Sequence, residues 1–358
     1  MKVHIITIHH IHNFGSVFQA FCLQKYLLDL GYEVEIIDYR PPYYDSGRNK
    51  LKSYVGRLLN LKAFVNRKRK YDAFIKNNDI LSKKTFSNIG QLQAEYKHSN
   101  DLFIAGGDQL WNSYHPCGKD DAYKLAFTGS TNKFAVGTSI GRNNHTEGEL
   151  LALAKKVEKF KAILLREKTT VERFSKYVNV PCEHVIDPVG LLSVEYLKQM
   201  AVRPQISNQY AVMYLADSGF VLDQCIEKLL KEKKLKIIHI CGFRKKCYCD
   251  VFEKDTGPQE LLGYILDADF VLSASFHATM FSIIFNKQFA TLLPNEQTNE
   301  RIESLLTYFG LENRIIKNVE DIKQLNQIID FGPVNAKLRL LRTESKECIE
   351  KALSRSVF

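Results

Sequence analysis

A Ser-Phe-His turn between two apolar runs is the part of the chain best suited to chemistry. A strand-like run ends at Ser273, the turn holds Ser275 and His277, and a helix-like run continues to Ile283. Unpaired backbone N–H groups and the helix dipole favour anions at such a helix start, and α/β proteins bind ligands at strand ends. The pattern predicts a phosphate-handling site with Ser275 and His277 as candidate functional residues, although a lone histidine also fits a satisfied core position.

The first turn of the chain, from His9 to Gln19, lies between a strand pattern and a helix pattern in the same way. Its backbone amides could receive a phosphate or a carboxylate, and it lacks the GxGxxG fingerprint of dinucleotide binding. Its histidines have no acid at ligand spacing, so we expect no metal there. The alternative is simple helix capping. The candidate substrate ligands of this turn are Asn13, Gly15, Ser16 and Gln19.

Two glycines and several polar residues follow the strand pattern that ends at Ala105. Paired glycines let the backbone approach a ligand closely. Asp108 could accept the proton of a sugar hydroxyl, Gln109 could bind substrate, and Trp111 could stack on a pyranose face. The alternative is a tight turn that the tryptophan anchors.

Further polar residues come directly after other strand patterns. Arg166 follows an apolar run, where a guanidinium close to the core needs an anion, either a ligand or a structural carboxylate such as Glu167. In the second half of the chain, Arg301 opens a helix after a strand pattern, which places it on the same side of the sheet as His277. The remaining candidate ligands in such positions are Ser139 and Asn299.

Short apolar runs alternate with amphipathic helical patterns through most of the chain, which is typical of parallel sheets built from βαβ units. The predicted strands are Val3–Ile8, Val34–Asp38, Asp101–Ala105, Lys133–Val136, Ala162–Arg166, Tyr210–Tyr214, Lys236–Ile240, Phe270–Ser273 and Phe289–Leu293. The predicted helices are Ser16–Leu30, Thr146–Lys159, Leu222–Glu232 and Gln259–Leu266. We therefore predict an α/β protein with two Rossmann-like domains that face a cleft.

The length of 358 residues exceeds what one hydrophobic core usually serves. Residues 199–209 have no clear periodicity and contain Pro204, so we interpret them as a linker. The predicted domains are 1–198 and 210–333, and residues 334–358 are expected to form a helix that packs back on the first domain.

The formal net charge of +10 is unevenly distributed, since Arg48 to Lys70 holds nine Lys or Arg and no acid. This segment has an apolar stripe at helical spacing, which fits contact with an anionic membrane, with a phosphorylated substrate or with its own domain. No nucleic-acid-binding signature accompanies the charge.

The eight cysteines are scattered, which indicates reduced thiols. Cys241, Cys247 and Cys249 lack the paired spacing of a structural zinc site. No leader pattern or membrane span is evident in the sequence, so we expect a cytoplasmic protein.

Taken in order, these motifs resemble the polysaccharide pyruvyl transferase family from about Lys2 to Arg314. The resemblance rests on NFGSVFQAF, GGDQLWN, TSIG, a strand ending in REK, VIDPVGLL, the run through SFHATMF, and NERIESLL followed by GLENR. Two positions depart from the family pattern. Ala278 replaces the usual glycine after Ser-Phe-His, and Gly107 replaces the usual serine before Asp108.

The resemblance implies a GT-B-like fold and a donor, phosphoenolpyruvate, that delivers pyruvate as a ketal onto a sugar of a surface polysaccharide or its lipid-linked precursor. It implies no cofactor, and it suits an enzyme at the inner face of the cell membrane. His277 would then act as the acid, or else protonate the departing phosphate, and Asp108 would act as the base. Arg166 and Arg301 would bind the donor. One alternative is a glycosyltransferase that uses a nucleotide sugar, with Glu312 and Glu320 as a carboxylate pair. The other is a non-catalytic module that binds an acidic glycan.

Overall fold

The computed structural model describes residues 1–44, 61–142, 144–215, 229, 235–240, 249–293 and 300–355. Contacts between residues divide the chain into two compact units. The first unit takes in the described residues within 1–48, 75–192 and 339–358, and the second takes in those within 49–74 and 193–338. Each unit contains its own parallel sheet with helices, so the predicted α/β class with two Rossmann-like domains is confirmed.

Seven described strands form the sheet of the first unit in the order β3-β2-β1-β4-β5-β6-β7, and every neighbouring pair is parallel. All residues of β4, β5 and β6 are buried, as expected for parallel strands covered on both faces. The strands are β1 (Lys2–Ile6), β2 (Glu33–Tyr39), β3 (Leu81–Phe86), β4 (Leu102–Gly106), β5 (Lys133–Thr138), β6 (Ala162–Leu165) and β7 (Cys182–His184).

Six described strands form the sheet of the second unit in the order β10-β9-β8-β11-β12-β13, again with parallel neighbours. The strands are β8 (Tyr210–Tyr214), β9 (Lys236–Ile240), β10 (Val251–Glu253), β11 (Phe270–Ser273), β12 (Gln288–Leu292) and β13 (Ile315–Ile316). Both sheets have the Rossmann order 3-2-1-4-5-6, in which the direction of winding reverses between the first and the fourth strand. Ligands bind beside the carboxyl ends of the strands at this switch point.

The described helices connect these strands. They are α1 (Phe14–Asp29), α2 (Leu61–Asn78), α3 (Ile89–Tyr96), α4 (Pro116–Lys119), α5 (Glu147–Lys156), α6 (Lys168–Phe174), α7 (Val194–Met200), α8 (Pro258–Asp267), α9 (Phe276–Ile284), α10 (Glu300–Phe309) and α11 (Phe331–Ser354). The predicted helix Leu222–Glu232 lies outside the described residues except for Leu229. Among the described helices, none is both long enough and apolar enough to cross a membrane.

The basic segment 48–70 was expected in the N-terminal domain, but its described part contacts the second unit. Only its part from Leu61 onward is described, and residues 61–74 belong to the second unit instead of the N-terminal domain. Lys70 accounts for this placement, since its Nζ is 2.8 Å from Glu260 Oε2 and 3.7 Å from Asp255 Oδ1. The charge pattern alone could not show which acidic partners this helix would meet.

The segment 199–209, which we interpreted as a linker, is joined to the second unit. The backbone N–H of Val202 donates to Gln259 O at 2.9 Å, and Gly263 in α8 packs so closely on the Val202 carbonyl that a Cβ would lie 2.0 Å from its oxygen. The boundary between the units therefore falls earlier, between Leu192 and Ser193. From residue 339 onward α11 belongs to the first unit, where Arg342 Nε donates to Gly190 O at 2.6 Å.

Candidate functional site

The first group of candidate residues lies at the switch point of the first sheet, where β1 and β4 end and α1 begins. Asn13 caps α1, because its side-chain oxygen accepts the N–H of Ser16 at 3.2 Å. Gly15 and Ser16 are buried in the first turn of this helix. Asn13 therefore caps the helix, as in the capping alternative. The ligand roles of Asn13, Gly15 and Ser16 stay predictions.

Ser16 and Asp108 meet at this point. Ser16 Oγ donates to Asp108 Oδ2 at 2.6 Å, and the backbone N–H of Gln109 donates to Asp108 Oδ1 at 2.8 Å. Asp108 takes a left-handed conformation with φ of 56°, and its carbonyl accepts the N–H of Ser139 at 2.9 Å. Two donors thus fix both carboxylate oxygens of Asp108, whose side chain keeps 12% exposure.

Gln19 supports this turn from beneath instead of presenting its amide to a ligand. It is fully buried, and its Nε2 donates to Thr7 Oγ1 at 2.9 Å, to Ile8 O at 3.1 Å and to Ser16 O at 2.9 Å. Gly107 packs directly on it. The amide of Gln19 therefore ties the end of β1 to the start of α1, a role that its helical position alone could not indicate.

Arg166 lies inside a cluster of acids. Its side chain has no exposure, its NH1 donates to Asp187 Oδ2 at 2.6 Å and its Nε donates to Glu167 Oε1 at 3.1 Å. Its NH2 is 4.0 Å from Asp108 Oδ1. Burial by itself lowers the pKa of Arg166, but the charges of Asp187, Glu167 and Asp108 more than offset this and raise it. The structural carboxylates of the alternative interpretation are thus present, and the ligand role of Arg166 stays a prediction.

Trp111 belongs to the hydrophobic core. Its side chain is buried, its Nε1–H donates to Tyr123 O at 2.8 Å, and its ring meets Phe160 edge-on with centroids 5.8 Å apart. The expected stacking on a pyranose face is therefore wrong for this conformation, since the ring faces are covered by protein. Gln109 Oε1 accepts from Asn112 Nδ2 at 2.8 Å, which braces the turn from Asp108 onward.

His9 and His10 of the first turn have partners within the protein, Asp38 and Tyr44 respectively. His9 is fully buried and its Nε2 is 2.9 Å from Asp38 Oδ1. Burial, followed by the nearby charge of His9, lowers the pKa of His10 to about 3. Across the described part of the chain, no group of three or more His, Cys, Asp or Glu residues could hold a metal ion. Cys241 and Cys247 lie outside that part, whereas Cys249 is buried.

The second group of candidate residues lies at the switch point of the second sheet, where β11 ends and α9 begins. Ser275 caps α9, with its Oγ 3.4 Å from the N–H of Ala278, and its own N–H donates to Ser273 Oγ at 2.9 Å. His277 occupies the first turn of the helix with 6% exposure. The sequence-predicted order of strand, turn and helix is thus present.

Arg301 lies close to this turn. Its guanidinium carbon is 5.9 Å from the centroid of the Phe276 ring, and that ring meets the imidazole of His277 edge-on at 5.2 Å. Phe276 therefore links the arginine to the histidine, as expected from their positions after neighbouring strands. Asn299 lies outside the described residues.

Sequence reasoning gave no role to Asp187, the closest partner of Arg166. Asp187 caps the short 3-10 helix Pro188–Gly190 by accepting the N–H of Val189 at 3.1 Å. Asp187 directly follows the apolar residues Val185 and Ile186. An acid directly after an apolar run is the sequence signal that could have identified it as a site residue. Of the two glutamates considered for nucleotide-sugar transfer, Glu312 precedes β13, Glu320 follows it, and both are exposed.

Known proteins of the same fold include the UDP-GlcNAc 2-epimerase from Methanocaldococcus jannaschii, with a TM-score of 0.53 and 13% identity over 97% of this chain and 100% of that one. TarM gives a TM-score of 0.51 with 12% identity over 99% of both chains. The alpha,alpha-trehalose 6-phosphate synthase from Burkholderia multivorans gives 0.50 with 9% identity over 99% of this chain and 97% of that one. These likenesses show a shared fold of the GT-B-like kind.

A comparison with the curated proteins finds no match. The family model described as polysaccharide pyruvyl transferase matches residues 13–296, which include Ser16, Asp108, Arg166 and His277. Because this match spans most of the chain, the chain belongs to the polysaccharide pyruvyl transferase family.

Proposed function

We propose that this protein transfers pyruvate from phosphoenolpyruvate to two hydroxyls of a saccharide and forms a cyclic ketal. The observation that carries the proposal is the placement of Asp108 and His277. In a member of this family, each lies at the switch point of a Rossmann-like sheet, beside the start of a helix. These are the positions at which α/β proteins bind ligands.

The second unit supplies groups suited to the donor. Phosphoenolpyruvate carries a phosphate and a carboxylate, and both need donors or cations when they leave water. The N-terminus of α9 offers backbone N–H groups, and Arg301 lies next to Phe276 in its first turn. We assign donor binding to Ser275, His277 and Arg301, with Asn299 retained from the sequence.

The chemistry needs one acid and one base. A proton adds to the methylene carbon of phosphoenolpyruvate, so that C2 becomes cationic, and an acceptor hydroxyl forms the first C2–O bond. The C2–O bond to phosphate breaks, and the second hydroxyl closes the ring as inorganic phosphate leaves. The two hydroxyl protons balance the one gained by the methylene carbon and the one gained by the phosphate. We assign the acid to His277 and the base to Asp108.

The direct test is incubation of pure protein with phosphoenolpyruvate and a panel of glycosides, followed by mass spectrometry and phosphate assay. We expect a product heavier by pyruvate less water and an equal amount of phosphate. Thermal stabilisation by phosphoenolpyruvate, but not by nucleotide sugars, distinguishes this activity from glycosyl transfer. A non-catalytic glycan-binding module would bind saccharide without releasing phosphate, and that result would remove the proposal.

We further propose a lipid-linked acceptor and contact of the basic segment with an anionic membrane. In the described part, Lys68 pairs with Asp72 at 2.6 Å and Lys70 pairs with Glu260, so these two charges are partly compensated. Lys62 and Arg69 are exposed, and Leu61, which precedes Lys62, is 55% exposed. Co-sedimentation that depends on anionic lipid and is weakened by Lys62→Glu supports this contact. Co-sedimentation that is indifferent to anionic lipid contradicts it.

A further inference from the structure

Two aromatic side chains lie side by side at the carboxyl edge of the first sheet. His10 follows β1 in the turn before α1, and Tyr44 ends the 3-10 helix Pro42–Tyr44 after β2. β1 and β2 are parallel neighbours, and the two rings meet edge-on, with centroids 5.2 Å apart and planes at 76°. Ligands of Rossmann-like sheets bind at this edge, so both side chains are in a position to meet substrate.

Both rings keep solvent access. His10 and Tyr44 are each partly exposed, whereas Trp111, the residue expected from the sequence to stack on a sugar, is buried. Two rings at nearly right angles form a corner with two aromatic surfaces. The C–H surface of a pyranose is apolar and packs on aromatic rings, whereas phosphoenolpyruvate offers a phosphate, a carboxylate and a single methylene group. The corner therefore suits the saccharide better than the donor.

The imidazole of His10 adds a directional polar group. Within the described structure its Nδ1 is buried without a hydrogen-bond partner, so the exposed part of the ring carries Nε2. Burial, followed by the charge of His9, lowers the pKa of His10 to about 3, so the imidazole is neutral near pH 7 and has one N–H. A buried N–H without an acceptor is less well tolerated than a buried lone pair, which assigns the proton to Nε2. His10 thus offers a donor to a hydroxyl.

The aromatic pair lies near the turn of Asp108, with Cys117 between them. The thiol of Cys117 donates to the carbonyl of Gln109, the residue after Asp108, at 3.4 Å. Burial raises the pKa of this thiol to about 11, and the Tyr44 hydroxyl and the Asp108 carboxylate both lie close enough to modify it. Tyr44 and Asp108 are therefore neighbours of the same buried side chain, so a sugar held on the aromatic pair is within reach of the carboxylate assigned as the base.

We propose that His10 and Tyr44 form a subsite for one sugar ring of the acceptor, in which Tyr44 packs on its C–H surface and His10 Nε2 donates to one of its hydroxyls. This inference rests on the proposed function and narrows it, since it names residues that hold the acceptor. It also moves the stacking role expected of Trp111 to a residue whose ring is accessible.

The test compares variants of the full-length protein that each remove one feature. Tyr44→Leu removes the ring, Tyr44→Phe keeps it, and His10→Phe keeps a ring but removes the N–H. Phosphate release is measured against phosphoenolpyruvate and against the glycoside found in the activity screen. We expect Tyr44→Leu and His10→Phe to raise the KM for the acceptor by about 5- to 10-fold, as the loss of one aromatic contact or one hydrogen bond does. Tyr44→Phe should stay within about threefold, and the KM for phosphoenolpyruvate within about twofold in every variant.

Tyr32→Leu is the matched control for Tyr44→Leu, because Tyr32 is also a partly exposed tyrosine of the first unit but precedes β2, at the opposite edge of the same sheet. His98→Phe is the control for His10→Phe, since His98 is exposed in the loop before β4, also at that opposite edge. Both controls should leave the two KM values unchanged. If circular dichroism shows that Tyr44→Leu does not fold, the acceptor KM of His10→Phe decides the question.

Binding of methyl glycosides, followed by saturation-transfer NMR, separates failure of this inference from failure of the proposed function. Glycoside binding that is weakened in Tyr44→Leu and His10→Phe supports the saccharide subsite even where the wild type releases no phosphate, a result that removes only the proposed function. Unchanged glycoside binding and acceptor KM in both variants overturn the inference and leave the proposed function standing. A rise in the KM for phosphoenolpyruvate alone assigns the pair to the donor and also overturns the inference.

Discussion

Replacing Gly107 with alanine should damage the first unit far more than a change of one methyl group suggests. Gly107 has φ of 33°, and a Cβ at this position would lie 1.7 Å from Gln19 Oε1 and 2.6 Å from Gln19 Cδ. Gln19 has no exposed area, and the two N–H groups of its amide are shared among Thr7 Oγ1 and Ile8 O, which follow β1, and Ser16 O in α1. The new methyl group must therefore displace a buried amide and disturb the hydrogen bonds of its nitrogen.

The expected loss of stability in Gly107→Ala has two parts. A left-handed backbone costs a non-glycine residue about 1–2 kcal/mol. The two N–H groups of the Gln19 amide lose about 1 kcal/mol each when their hydrogen bonds break, and more where a buried group stays unsatisfied. Gly107→Ala should therefore lower the free energy of unfolding by about 3–4 kcal/mol, a large share of the ~5–15 kcal/mol that stabilises a domain.

Gly31→Ala is the matched control, because Gly31 has φ of 86° but no atom within 4 Å of its Cβ position. It should cost only the backbone part, about 1–2 kcal/mol. Urea unfolding followed by circular dichroism compares the two variants, and Gln19→Ala combined with Gly107→Ala should recover part of the loss by making room. Equal destabilisation by Gly107→Ala and Gly31→Ala would falsify the packing argument.

Four further predictions concern single side chains. His277→Ala should lower kcat by about 10²–10⁴-fold with an unchanged circular dichroism spectrum, and near-wild-type turnover removes it from the chemistry. Arg301→Ala should chiefly raise the apparent dissociation constant of phosphoenolpyruvate, and an unchanged titration contradicts donor binding. Trp111→Phe should cost about 1–3 kcal/mol of stability by leaving the Tyr123 carbonyl unsatisfied, and a selective rise in acceptor KM would restore a stacking role. Burial raises the pKa of Asp79 from 3.8 to about 8. Because the folded protein then keeps a proton that the unfolded chain loses, stability should fall by about 1.4 kcal/mol per pH unit between these values. Asp79→Asn should flatten that part of the pH–stability curve, and an unchanged slope excludes Asp79 as its source.

The interior strands were predictable, whereas the four edge strands of the two sheets were not. β1, β2, β4, β5 and β6 lie between two neighbours, and their buried residues form the apolar runs that sequence patterns report. β3 lies at an edge and contains Lys83 and Lys84, both exposed, so it shows no such run. Its counterparts β7, β10 and β13 have two or three residues each, too few for a period to appear. Exposed charges and short length are the usual properties of edge strands.

The positions of the candidate site residues could be predicted from the sequence, but their roles could not. Strand ends and helix starts are local features, so the positions of Ser16, Asp108 and His277 follow from nearby sequence. The role of Arg166 depends on Asp187, which reaches it only because β6 and β7 pair in the sheet. Likewise the burial of Trp111 depends on Phe160, far along the chain. Long-range partners of this kind decide whether a polar or aromatic residue meets substrate or structure.

The two departures from the family pattern have different physical consequences. Ala278 is a helical residue whose N–H is capped by Ser275, so the position needs no glycine, and its methyl group is accommodated in the buried face of α9. Gly107 takes the left-handed conformation against Gln19, where any side chain would meet the buried amide. Glycine at position 107 therefore lets the turn that holds Asp108 pack directly on the side chain of Gln19. A protein with serine at this position must arrange the residue corresponding to Gln19 differently, so Gly107→Ser should be tolerated here only together with a smaller residue in place of Gln19.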